Sequence, residues 1–169
     1  GAGSRIQLQA GSVLTSGYGA AGLSAANGGQ VHASGTHIET RGTAASGAEA
    51  LSGTLSLDNV RITTRGGLAH GISVQQGQAE VRDSVIEILG DQSNGLEVRD
   101  GTLLAERMQI AVAGSGYGVW AQGGSDVTLR SARIDGSGAG ASGVLVGLGS
   151  KVVLEDVDIE LSHERSGMG

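Results

Sequence analysis

The chain has 169 residues with 32 Gly, no Pro, no Cys and no Phe, and its aromatic rings are Tyr18, Tyr117 and Trp120. With 38% hydrophobic and 17% charged residues it is too apolar and too weakly charged for a disordered chain, and its glycines lack the triplet order and proline of collagen. A net charge of -6 with Lys151 as the single lysine excludes a nucleic-acid footprint, and the missing cysteines exclude disulfides, cysteine-zinc sites and thiol nucleophiles.

The predicted elements are short strands that recur from one glycine to the next. A partial turn opens with Ile6/Leu8 and Gly11/Val13. Gly22 then leads Leu23/Ala25, Val31/Ala33 and Thr36/Ile38, and Gly47 leads Ala48/Ala50, Leu55/Leu57 and Val60/Ile62. Gly71 leads Ile72/Val74, Ala79/Val81 and Ser84/Ile86, and Gly95 leads Leu96/Val98, Leu103/Ala105 and Met108/Ile110. Gly118 leads Val119/Ala121, Val127/Leu129 and Ala132/Ile134, and Gly143 leads Val144/Val146, Val152/Leu154 and Val157/Ile159. Each slash spans one intervening residue, the period of a half-buried strand. The leading glycines are 23 to 25 residues apart, and the variation falls in glycine-rich corners.

Three such strands per repeat exclude a helical solenoid. No single repeat covers its own apolar face, so the turns must stack, with like strands in parallel ladders about 4.8 Å apart. The predicted fold is all-β: a parallel β-helix of about seven turns of ~24 residues, three short strands per turn, with residues 1–169 as one segment of a longer protein and no second domain. Stacking places Asp58, Arg82, Glu106, Arg130 and Glu155 in one column whose charge alternates at every step, a structural ladder that favours this register. The next column, Asn59, Asp83, Arg107, Ser131 and Asp156, is rich in turn formers.

These phrases, above all Gly71-Ile72-Ser73-Val74 with Ala79-Glu80-Val81-Arg82-Asp83-Ser84, and Gly143-Val144-Leu145-Val146 with Val152-Val153-Leu154-Glu155-Asp156-Val157, resemble the right-handed parallel β-helix of the pectin-lyase-like type. They most resemble the passenger domains of pertactin-like autotransporters of Gram-negative bacteria, along essentially the whole chain. The resemblance implies a virulence-associated segment at the cell surface or secreted, carried by type V secretion through an outer-membrane C-terminal barrel that lies outside this sequence. It also implies a rigid stalk or adhesin without enzymatic activity, whose partner is a host surface macromolecule, a glycan or another copy of itself. An Arg-Gly-Asp tripeptide is absent, since Arg41-Gly42-Thr43 and Arg65-Gly66-Gly67 lack the acid.

Two segments match G-x-G-x-x-G, at Gly17, Gly19, Gly22 and at Gly138, Gly140, Gly143, but a strand pattern follows each, so neither forms a dinucleotide loop. No cofactor is expected. Nor is a metal, because His32, His37, His70 and His163 lack ligand spacing and Asp91-Gln92-Ser93-Asn94-Gly95 lacks the distal Glu of a calcium hand. Ala69-His70-Gly71 resembles the His-Gly segment of polygalacturonases, which makes a polysaccharide lyase or hydrolase the alternative. The paired aspartates are missing, Asp135 stands where that pattern has Lys, and the outward column Ser73, Glu97, Trp120, Leu145 offers one carboxylate where hydrolysis needs two. The candidate binding residues are Trp120, outward on its strand, with Glu97, Arg99 and the corner positions His70, Asn94 and Tyr117. A ring with polar neighbours can stack on a sugar or anchor a peptide, unless the corner from Asp135 to Ser142 folds over it. A self-associating scaffold is the further alternative, through ladder edges at Ile6/Leu8 and Val157/Ile159.

Overall fold

The computed structural model describes residues 3–162, so His163 lies outside the described residues. A partial turn supplies β1 (Arg5–Gln9) and β2 (Ser12–Thr15). Four turns of three strands follow: β3 (Leu23–Ala26), β4 (Gln30–Ser34) and β5 (His37–Thr40); β6 (Ala48–Leu51), β7 (Thr54–Asp58) and β8 (Arg61–Thr64); β9 (Ile72–Gln75), β10 (Gln78–Arg82) and β11 (Val85–Ile88); β12 (Leu96–Arg99), β13 (Thr102–Glu106) and β14 (Gln109–Val112). The last two turns run β15 (Gly116–Gln122) into β16 (Asp126–Gly136) and β17 (Ala141–Val146) into β18 (Lys151–Leu161). In β16 and β18 the ladder continues through the bend, at Ser131 (φ 50°) and Asp156 (φ 53°), so one long strand replaces the two short ones of the earlier turns.

All pairings are parallel and join each strand to its counterpart one turn away, giving a β-solenoid of about seven turns. The register follows the leading glycines: Ile38 pairs with Ile62, Ile62 with Ile86, Ile86 with Ile110 and Ile110 with Ile134. These five side chains are 0% exposed and form one interior row. Burying each contributes about 1.5–3 kcal/mol, which lets a core without Phe hold together. The leading glycines face the same row. A Cβ at Gly22, Gly47, Gly71, Gly95, Gly118 or Gly143 would run into the Cγ2 of Ile38, Ile62, Ile86, Ile110, Ile134 or Ile159 respectively. Bare glycine and branched isoleucine are therefore one packing unit repeated along the axis.

The bends need left-handed backbone. Asn59, Asp83, Arg107, Ser131 and Asp156, between the second and third strands, all have φ of 50–53°. Asn27, Ser52, Gln76 and Asp100 are left-handed too after the first strand, and Ala44, Leu68 and Gln92 after the third, with φ of 50–56°. Amides at these bends bond carbonyls of the next turn, for example Asp83 N–H to Glu106 O at 3.0 Å and Arg107 N–H to Arg130 O at 2.9 Å, so each bend stays inside the ladder. Gly17 and Gly19, and Gly138 and Gly140, lie at corners that lead into strands β3 and β17.

Candidate functional site

The first strands of successive turns stack Ser24, Glu49, Ser73, Glu97, Trp120 and Leu145 in one outward column. Just before these strands, the corners stack His70, Asn94 and Tyr117, with Gly71 N–H donating to Asn94 O and Gly95 N–H to Tyr117 O, both at 2.9 Å. Column and corner meet in an open groove of 480 Å³ lined by all six predicted binding residues, His70, Asn94, Glu97, Arg99, Tyr117 and Trp120.

The groove floor is a closed polar network. Asn94 N–H donates to His70 Nδ1 at 3.0 Å, so that nitrogen carries a lone pair and the proton sits on Nε2. Nε2 lies 2.7 Å from Glu97 Oε2, and the Asn94 side-chain amide donates to the same oxygen at 3.0 Å. Tyr117 N–H donates to Asn94 Oδ1 at 3.0 Å. Arg99 Nε lies 2.8 Å from Glu97 Oε1, a charge contact whose N–H is not aligned as a hydrogen bond. Its guanidinium carbon sits 4.9 Å from the Trp120 ring centre, a cation–π distance, and Tyr117 leans on Trp120 at 6.4 Å and 33°. Beneath, the buried Ser93 hydroxyl donates to Asp91 O at 3.0 Å and accepts the Ala69 N–H at 2.9 Å, fixing the corner.

Two features differ from the expectation of an outward, solvated column. Glu97 has only 2% of its side chain exposed, because its neighbours on three turns close over it. Burial pushes its carboxyl up, but the contact with His70, the charge of Arg99 and the Asn94 amide together outweigh it, and Glu97 lies below the ordinary carboxylate range. The column also holds a second carboxylate. Glu49, half-buried on β6, is pushed above its ordinary range by burial, which the Ser46 hydrogen bond only partly offsets. Trp120 and Tyr117 are half-buried, and of the residues between Asp135 and Ser142 only Gly140 reaches the groove, so the rings keep an accessible side.

Leu68, Gln92 and Ser115 complete the rim and carry no motif. Leu68 is 50% exposed and sits at φ 56°, an uncommon conformation for a bulky residue. Glu49 had a readable signal, since it follows Gly47 by the same two positions as Glu97 follows Gly95.

In the charge column, Arg82 pairs with Asp58 and Glu106 in register, as does Arg130 with Glu106 and Glu155. Ion pairs close Arg82–Glu106 at 3.2 Å, Glu106–Arg130 at 3.5 Å and Arg130–Glu155 at 2.7 Å. At the first step Arg82 turns to Glu80 of its own strand, and no ion pair to Asp58 is made among the described residues. Also among the described residues, no cluster of three or more His, Asp or Glu is placed to hold a metal. Comparison of the chain with protein-family models, curated proteins and solved structures finds no match.

Proposed function

We propose that the chain is a segment of a pertactin-like autotransporter passenger of a Gram-negative bacterium, a rigid non-enzymatic stalk or adhesin at the cell surface. In this reading the groove at Trp120 makes contact with a glycan or another host-surface molecule. The observation that supports it most is the division of labour in the groove. Trp120 and Tyr117 keep an open side, while His70 has both ring nitrogens, and Glu97 both oxygens, engaged by the protein. A base or nucleophile must have its reacting atom free to reach the substrate, and these atoms are occupied by protein partners. An aromatic platform held by a rigid floor is suited to stacking on a sugar face. Repetition along a rod multiplies weak contacts.

One observation favours the polysaccharide-hydrolase alternative. Glu49 and Glu97 share a column two rungs apart, and their surroundings move their proton affinities in opposite directions. A single experiment separates the readings: retention on immobilised host glycans for the wild type, Trp120→Ala and Tyr117→Ala, with the eluate assayed for new reducing or unsaturated ends. Retention that falls at least about tenfold in the Trp120 variant, a loss of roughly 1.4 kcal/mol, without new ends is the expected result. Unchanged retention removes the groove from the account, and turnover abolished by Glu49→Gln replaces adhesion with hydrolysis.

A further inference from the structure

We propose that His70 is a proton-operated latch for the groove: neutral, it holds the Asn94 corner and with it Tyr117 and Trp120, and a second proton on its ring releases them.

The geometry fixes what that proton does. His70 Nδ1 now accepts the Asn94 backbone N–H at 3.0 Å. A proton there would set donor against donor at hydrogen-bond distance, which turns an attraction into a repulsion. The other nitrogen cannot relieve this by exchanging roles, because it lies 2.7 Å from a Glu97 carboxylate oxygen, where it must keep its own proton. Either the ring turns or the Asn94 corner moves. Asn94 is the link to the aromatic pair by two routes. Its Oδ1 accepts the Tyr117 N–H, and its Nδ2 shares Glu97 Oε2 with His70, while the other Glu97 oxygen faces Arg99, which covers Trp120.

Charged groups stand around the ring. Glu97 on β12 touches the ring, Glu49 on β6 stands two rungs from Glu97 in the same column, and Arg99 stands behind Glu97. From the next turn β15 brings Tyr117 and Trp120. The cost of a second ring proton falls on Asn94, the neighbour whose backbone N–H needs the Nδ1 lone pair. Histidine is the side chain whose charge ordinarily changes between about pH 5 and 8, which sets the range over which the latch is tested. The inference deepens the reading of the groove as a contact site and rests on it only for the consequence that affinity falls as pH drops.

Trp120 is the chain's only tryptophan, so the latch carries its own probe. Its emission, recorded on the full chain from about pH 8 to 5, should pass through a single one-proton step with far-ultraviolet circular dichroism unchanged. His70→Gln, whose amide can still donate to Glu97 but cannot titrate, should lose the step. Flat wild-type emission, or a step that survives in His70→Gln, would overturn the latch. Should that variant fail to fold, proton NMR of the wild type decides: the His70 ring and the Trp120 indole N–H should shift with one midpoint, and an indole unmoved while His70 titrates contradicts the proposal. None of these readouts needs a ligand, so a failed latch and a failed glycan screen are distinguishable.

Discussion

Thr40 and Thr64 stack in adjacent turns, both 0% exposed, and neither hydroxyl has a hydrogen-bond partner among the described residues. On the other side Thr64 pairs with Ile88, so the same interior row accepts a purely aliphatic side chain one turn later. Thr64→Val keeps the shape and removes the stranded hydroxyl, and should raise stability by about 1 kcal/mol. A urea midpoint that rises with unchanged slope is the expected result, and a fall would mean that the hydroxyl is bonded. At this scale the sequence was half informative. Alternation told which side chains point to the axis, because that depends only on strand pleat. It did not tell that Glu97 is covered, because covering depends on His70, Arg99 and Trp120 from three different turns choosing to fold toward it. Nor did it find Leu68 or Arg107 at positive φ, since neither is a residue that seeks that conformation.

Among the elements, the recurring phrase was legible because its two fixed members, the leading glycine and the terminal isoleucine, are in contact. Gly95→Ala tests this. Its new methyl would meet Ile110 Cγ2 and, at 2.7 Å, the carbonyl oxygen of Gly118, and the backbone cannot yield without disturbing the ladder. A loss of about 1–3 kcal/mol is expected in chemical denaturation. Gly67→Ala is the counterpart, because its methyl would find only Asp91 O at an ordinary 3.5 Å; it should stay within about 0.5 kcal/mol of wild type. Equal losses at both sites would show that glycine matters for flexibility rather than for space. A second glycine column, Gly42, Gly66, Gly90, Gly114 and Gly138, has its would-be methyls against backbone carbonyls of the preceding turn. Alternation does not reveal it, since it lies in corners where there is no in-and-out pattern to read.

For the whole molecule, stacking is what turns scattered residues into a site. His70, Asn94 and Tyr117 are far apart in sequence, yet the near-constant repeat brings them onto one corner, and a shift of one residue in any turn would scatter them. The alternating column through Glu106 and Arg130 opposes such a shift, because a slipped turn loses ion pairs to both neighbours. That the groove gathers every residue of the sequence-based candidate set follows from this regularity, whereas its depth and its closed floor do not. What binds there is written in side-chain geometry rather than in the repeat. The most direct test of the stacked coil uses the exposed row Gln30, Thr54, Gln78, Thr102, Asp126 and Lys151, which runs along one face in register. The chain contains no cysteine, so spin labels can be placed at Gln30→Cys and one partner position at a time for electron–electron distance measurement. The separation should grow by about 4.8 Å per turn, reaching roughly 19 Å at Asp126→Cys and 24 Å at Lys151→Cys; distances that fail to lengthen in step with the number of turns would contradict it.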